Sequence, residues 1–170
     1  MPVKSKNAVC LDPVFKRDAK VLILGSMPGG ESLRMKQYYA HPRNHFWNFM
    51  EQIAGIDSKL SYTRRITLVK SRQIALWDVM QTCVREGSLD SQIRNVIPND
   101  IESFTEQLPG LRKIILNGRA AETEYRKHFG SHLSVPAVYL PSTSPANAGL
   151  SYRKKISSWQ AVFKEFTFSV

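Results

Sequence analysis

Cysteine is scarce, acidic side chains are outnumbered, and no apolar run is long enough to cross a bilayer. Each shortage removes a class of protein. Cys10 and Cys83 are the only cysteines, too few for a disulfide framework or an iron–sulfur cluster, so a reducing interior is expected. The setting anticipated is cytoplasmic, and nucleoid-associated if the source is prokaryotic. A membrane helix needs about 20 consecutive apolar residues, and no stretch approaches that. The opening MPVKSKNAVCLDP carries no apolar signal core. No long amphipathic basic helix favours a membrane surface either, so no membrane partner is expected. With 24 Lys and Arg against 14 Asp and Glu, the net charge is +10. That excess favours a polyanionic partner, because cationic side chains release the counterions condensed on nucleic acid. A generally basic surface without such a partner is the plainer alternative.

What is present suits one compact domain spanning 1–170, expected to act as a monomer. Hydrophobic residues make up 42% of 170 residues, enough to bury a real core. Four short apolar runs, at 21–24, 73–77, 113–116 and 135–140, have the length and composition of buried strands. Helical spacing falls between and after them. The periodicity predicts a helix over 44–54, where Phe46, Phe49, Met50 and Ile53 share a face. Ile101, Phe104 and Leu108 suggest a second, Ala121, Tyr125 and Phe129 a third, and Ile156, Trp159, Phe163 and Phe166 a last. Strands alternating with helices predict an α/β fold, a three-layer α/β/α sandwich with a central four-stranded parallel sheet.

Ligands of such sheets bind beyond the carboxyl ends of the strands. Those ends read Gly25, Ser26, Met27, Pro28, Gly29 and Gly30 after the first run, and Asp78 after the second. Asn117 and Gly118 follow the third, and 141–147, PSTSPAN, the fourth. Glycine lets backbone approach a ligand closely, and small hydroxyls donate to phosphate without crowding. The glycine-rich turn matches neither a nucleoside-triphosphate loop nor a dinucleotide fingerprint. Asn44 suits either a helix cap or a ligand contact. His41 and His45 are four apart, but Pro42 keeps His41 off the helix, and without further ligands no metal site is expected. Asp90 reads as a helix cap, whereas Asp78 is either a site residue or an acceptor for loop amides. Arg153, Lys154 and Lys155 form a solvated helix start or a phosphate contact.

The segment YAHPRNHFW following GSMPG, together with LPSTSPANA, resembles the two motifs of the uracil-DNA glycosylase superfamily. In detail the chain is similar to its hypoxanthine (deoxyinosine) branch, with the mismatch-specific uracil/thymine branch a close relative. The resemblance runs from about Pro13 to the C-terminal helix. It implies an enzyme that flips a deaminated base out of DNA and hydrolyses the N-glycosidic bond, leaving an abasic site, with no cofactor. A base inside stacked DNA is otherwise out of reach, and extruding it costs a few kcal/mol.

The motifs carry over residue by residue, with two departures. Mismatch-specific relatives place an Asn in the middle of the first motif, where this chain has Met27, which cannot orient water by hydrogen bonding. In the hypoxanthine branch the duty falls to the Asn of the HPxN element, here Asn44. Some relatives place a His early in the second motif, where this chain has Pro141. The resemblance implies that Gly25, Ser26, Met27, Pro28 and Asn117 shape the base pocket and that Tyr39 stacks on the base, with Tyr38 the competing assignment. It implies further that Ser142, Ser144, Pro145 and Asn147 grip phosphate beside Arg153 and Lys154, with Leu150 a candidate wedge. No motif lysine is placed to form a Schiff base, so a monofunctional hydrolase is expected. The competing readings are a binding module of the same fold without catalysis, and a metal-dependent nuclease, which needs clustered carboxylates that the strand ends lack.

Overall fold

The computed structural model describes residues 6–130 and 132–168. Its centre is a parallel sheet of four strands, β2 (Val21–Gly25), β3 (Ile74–Asp78), β6 (Lys113–Asn117) and β7 (Ala137–Leu140). They lie in the order β3-β2-β6-β7. Every residue of β2 is buried, as a strand covered on both faces requires. Strand side chains alternate between faces, and here they divide into two cores. Val21, Ile23, Ile74, Leu76 and Ile115 pack against Phe46, Phe49, Val69, Ile156 and Trp159. These come from α2 (Phe46–Ala54), α3 (Tyr62–Ser71) and α6 (Tyr152–Phe163). Leu22, Leu24, Ala75, Ile114 and Leu116 face the other way, onto Ile101, Phe104, Ala121 and Tyr125. Those side chains belong to α4 (Ile101–Glu106) and α5 (Arg119–Phe129). The result is the expected α/β three-layer arrangement.

Element ends follow local chemistry. Ser61, Asp100 and Ser151 accept from the backbone N–H groups of Arg64, Ser103 and Lys154, capping α3, α4 and α6. The predicted helix at 44–54 begins at Phe46, and Phe166 lies past the end of α6 yet remains buried. A short helix, α1 (Gly30–Met35), precedes α2.

A second sheet was not anticipated. It is antiparallel, built from β1 (Lys6–Val9), β4 (Met80–Arg85) and β5 (Arg94–Pro98), in the order β1-β4-β5. Arg94, Asn95 and Ile97 of β5 are exposed and Val96 and Pro98 only partly buried, so the strand needs no apolar run. The core under this sheet is small, formed by Ala8, Met27, Met80 and Cys83. It nevertheless supports the site, since Val79 and Met80 donate backbone N–H groups to the carbonyls of Gly25 and Ser26.

Candidate active site

After β2 the chain supplies α2 and α3 to one face of the sheet, and after β6 it supplies α5 to the other. Neighbouring strands whose continuations leave on opposite faces open a crevice at their carboxyl ends. A cavity of about 890 Å³ lies there, walled by both motif loops.

Its floor is one row of the sheet. Gly25 pairs with Asp78 across β3, and the pairing of Leu24 with Leu116 sets Gly25 level with Asn117 on β6. Gly25 leaves a gap between the two polar residues: a Cβ there would stand 2.5 Å from Asp78 Oδ1 and 3.6 Å from the Tyr39 hydroxyl. Asp78 is 4% exposed and, among the described residues, its Oδ2 has no hydrogen-bond partner. Burial, reinforced by the Asp90 carboxylate and opposed by Arg85, pushes the Asp78 carboxyl up to about 7.

Asn117 is held in one orientation. Its Oδ1 accepts from the Thr143 backbone N–H at 3.1 Å, and its Nδ2 donates to Thr143 Oγ1 at 3.1 Å and to the Tyr39 hydroxyl at 3.4 Å. Both amide protons are therefore engaged, and the remaining capacity is an acceptor lone pair on Oδ1. Gly118 makes this junction possible, with φ of 99° and a position where a Cβ would lie 2.8 Å from the Ser142 Cβ.

Tyr38 and Tyr39 both border the cavity, and Tyr39 is the less buried of the two. Tyr39 has φ of 55°, and its ring stacks on Phe46 with centroids 3.8 Å apart. Burial first, then the charge of Asp78, keeps its phenol protonated. Tyr38 is buried in the core and donates its hydroxyl to the carbonyls of Leu11 and Asp12. Asn44 borders the cavity, and its Oδ1 accepts from the Phe46 N–H at 2.9 Å. It thus satisfies the first N–H of α2 from one residue before the N-cap position, His45, while its Nδ2 makes no hydrogen bond among the described residues. Next to it His45 donates its backbone N–H to the Thr143 carbonyl at 3.0 Å, which ties the first motif to the second.

In the second loop Ser142 Oγ accepts from the Ser144 N–H, and Ser144 Oγ from the Ala146 N–H. Each hydroxyl proton remains free to be donated outward. Pro145 and Asn147 border the same cavity. Trp159 Nε1 donates to the Pro141 carbonyl at 2.9 Å and anchors the loop to α6. In the first loop Ser26 donates to Asp90 Oδ1 at 2.9 Å, and Arg85 donates to the Pro28 carbonyl at 2.6 Å. Met27 borders the cavity, but its buried side chain belongs to the core under the second sheet.

Some expectations need correction. Asp90 is not a helix cap: the short 3-10 turn Asp90–Gln92 follows Leu89 without a side-chain cap, and the carboxylate instead receives Ser26. Lys155 is not part of a solvated helix start. It is 3% exposed and donates its ammonium to the Asn147 carbonyl. Arg153 and Lys154 are exposed on the first turn of α6 and do not border the cavity, and Leu150 is exposed nearby. The sequence reading missed Thr143 as the clamp on Asn117, and it missed Arg43 and Arg119 on the cavity wall. It also missed Ser88, whose Oγ accepts from the Gly30 N–H at 2.8 Å. Ser88 and Asp90 reach the cavity only because β4 and β5 form the second sheet, so the linear sequence held no signal for them.

Two Methanosarcina proteins named hypoxanthine DNA glycosylase are similar to this chain. The one from Methanosarcina acetivorans is 38% identical over 152 residues, 89% of this chain and 94% of the relative. The one from Methanosarcina barkeri is 33% identical over 153 residues, 89% of this chain and 95% of the relative. The solution structure of a Methanosarcina acetivorans protein provisionally named a uracil DNA glycosylase superposes with a TM-score of 0.82 at 36% identity, covering 94% of this chain and 98% of that one. The profile of the uracil DNA glycosylase superfamily matches residues 13–166 and so takes in both motif loops and every strand of the parallel sheet: the chain belongs to that superfamily.

Proposed function

We propose that this protein is a monofunctional DNA glycosylase that flips a deaminated base, hypoxanthine foremost, out of DNA and hydrolyses its N-glycosidic bond. The observation that carries this reading is the convergence of the two motifs on one cavity. The Asn117 amide is clamped by Thr143 of the second loop, and Thr143 in turn receives the backbone N–H at the start of α2. The cavity falls within the usual range for small-ligand sites, about 300–1,000 Å³.

In this reading the flipped base slides over Gly25 toward the sheet, where Asn117 offers an acceptor to a ring N–H. Hypoxanthine and uracil both present such a group beside a carbonyl. Tyr39 borders the base with its ring. Fixed polar groups around the base act on the charge that develops on it as the glycosidic bond lengthens. Asn44, held at the start of α2, orients the attacking water near the sugar carbon, and the helix N-terminus adds a positive field. Ser142, Ser144 and Asn147 contact the backbone of the extruded strand, with Arg153 and Lys154 alongside, and the +10 charge draws DNA to the surface. The protein acts as a monomer in the cytoplasm.

One observation favours a second reading, a binding module without catalysis. The polar side chain that mismatch-specific relatives put in the first motif is replaced by Met27, which is turned into the core. Duplexes carrying deoxyinosine or uracil, incubated with the protein and then treated with alkali, separate the two. Strand breaks at the lesion support the enzyme. Retained DNA binding without breaks on any lesion supports the module.

A further inference from the structure

We propose that Asp78 is a base-contacting residue that donates its carboxyl proton to the carbonyl oxygen of the flipped lactam base, beside the ring N–H accepted by Asn117. This rests on the glycosylase reading and adds to it a second specificity determinant.

Geometry makes the case. Asp78, Gly25 and Asn117 occupy one row at the carboxyl ends of three adjacent strands, and same-row side chains of parallel strands point to the same face. The middle residue has no side chain, so the outer two flank an open gap. Asp78 and the Tyr39 hydroxyl both border that gap, on the evidence of the position a Gly25 Cβ would take. The Asp78 backbone carbonyl is engaged by Asn99 Nδ2 at 2.8 Å, but the buried Oδ2 has no partner among the described residues. An unsatisfied buried polar atom is costly. The oxygen at the gap is Oδ1, so a proton carried there can be donated to a ligand while Oδ2 stays buried behind it.

The chemistry then selects among bases. Asn117 is locked as an acceptor because Thr143 and Tyr39 take both its amide protons. A protonated Asp78 makes the floor an acceptor beside a donor, which complements a ring N–H beside a carbonyl. Adenine presents the reverse pattern, a bare ring nitrogen beside an amino group, and leaves both floor groups mismatched. A neutral acid also suits the transition state, since the lactam departs with negative charge that a carboxylate would repel.

The charged and titratable groups facing Asp78 come from several elements. They are Asp90 of the 3-10 turn, Arg85 of β4, Tyr38 and Tyr39 ahead of α2, and Cys10 before the parallel sheet. Burial, with Asp90 and against Arg85, brings the Asp78 carboxyl to about 7. The donor is therefore present below that pH and lost above it.

The test is single-turnover excision of hypoxanthine from a duplex, between about pH 5.5 and about pH 8.5, by the wild type, Asp78→Asn, Asp78→Ala and Asp90→Asn. The wild-type rate should fall about tenfold per unit above pH 7, as loss of one proton dictates. Asp78→Asn keeps an amide donor at every pH and should lose that alkaline limb. Asp78→Ala should be slow and equally flat. Should Asp78→Asn fail to fold, Asp78→Ser keeps a hydroxyl donor and serves the same comparison. A wild-type rate independent of pH overturns the assignment. So does an alkaline limb that survives in Asp78→Asn and vanishes in Asp90→Asn, since the titrating group is then Asp90. Absence of excision by the wild type on every lesion and at every pH instead overturns the parent reading and this one with it.

Discussion

Gly25→Ala places a methyl group in the gap on which the site depends. The new Cβ would stand 2.5 Å from Asp78 Oδ1, whereas ordinary contact begins at 3.4 Å. The carboxyl group or β2 must therefore move by about 0.9 Å. Overpacking of a tight core costs about 1–3 kcal/mol. The backbone of Gly25 is anchored, because its carbonyl accepts from the Val79 N–H at 2.8 Å, so the displacement falls on Asp78 and on the space meant for the base. A misplacement on the order of 1 Å in a reacting geometry costs about 100-fold in rate. The expected outcome is a folded protein with a lowered Tm and single-turnover excision reduced by about two orders of magnitude. Thermal melting with a gel-based excision assay reads both. Wild-type excision with an unaltered Tm would show that the gap over Gly25 admits nothing of consequence.

Asn44→Ala removes both the group proposed to hold the water and the acceptor for the Phe46 N–H. Excision should fall by about 100-fold or more, with helix stability lowered by about 0.5–2 kcal/mol and DNA binding kept; near-normal single-turnover rates refute the assignment. Replacing Arg153 and Lys154 by Ala should weaken DNA binding and lower the slope of log K against log salt by up to about 0.9 per phosphate contact. An unchanged slope in fluorescence anisotropy titrations counts against those contacts. Asp78 also predicts a pH dependence of stability. Its carboxyl titrates near 7 in the folded chain against 3.8 for an unperturbed aspartate, so the folded state holds the extra proton and stability declines as pH rises between the two values. At pH 8 Asp78→Asn should therefore be more stable than the wild type, by at most about 4 kcal/mol, and chemical denaturation showing no gain there contradicts a strained carboxylate.

The parallel sheet was legible because its central strands are buried on both faces. Val21, Leu22, Ile23 and Leu24 are fully buried, and only uninterrupted apolar runs satisfy that. The three-layer order followed from helices spaced between those runs. The second sheet was not legible, since β5 lies exposed at an edge and needs no apolar pattern. The strand ends indicated where the cavity would be, and Gly25, Ser26, Asn44, Asn117 and Ser142 border it. Orientation was beyond reach of the sequence. That Asn117 keeps only an acceptor depends on Thr143 and Tyr39, which approach from two distant loops. Asp78 stood open between a structural and a site role, because the fate of a carboxyl group depends on what surrounds it. Lys155 shows the same limit in reverse. It belongs to a basic run, yet burial and the Asn147 carbonyl distinguish it from its exposed neighbours.

On the glycosylase reading, this cavity excises a deaminated base. The direct measurement incubates the wild-type protein with end-labelled duplexes that contain a single deoxyinosine or deoxyuridine, treats the products with alkali, and resolves them by size. Cleavage at the lesion, dependent on the alkali step and absent from undamaged duplex, is the predicted result. Intact strands on every lesion, from a protein that still binds the duplex, would contradict it.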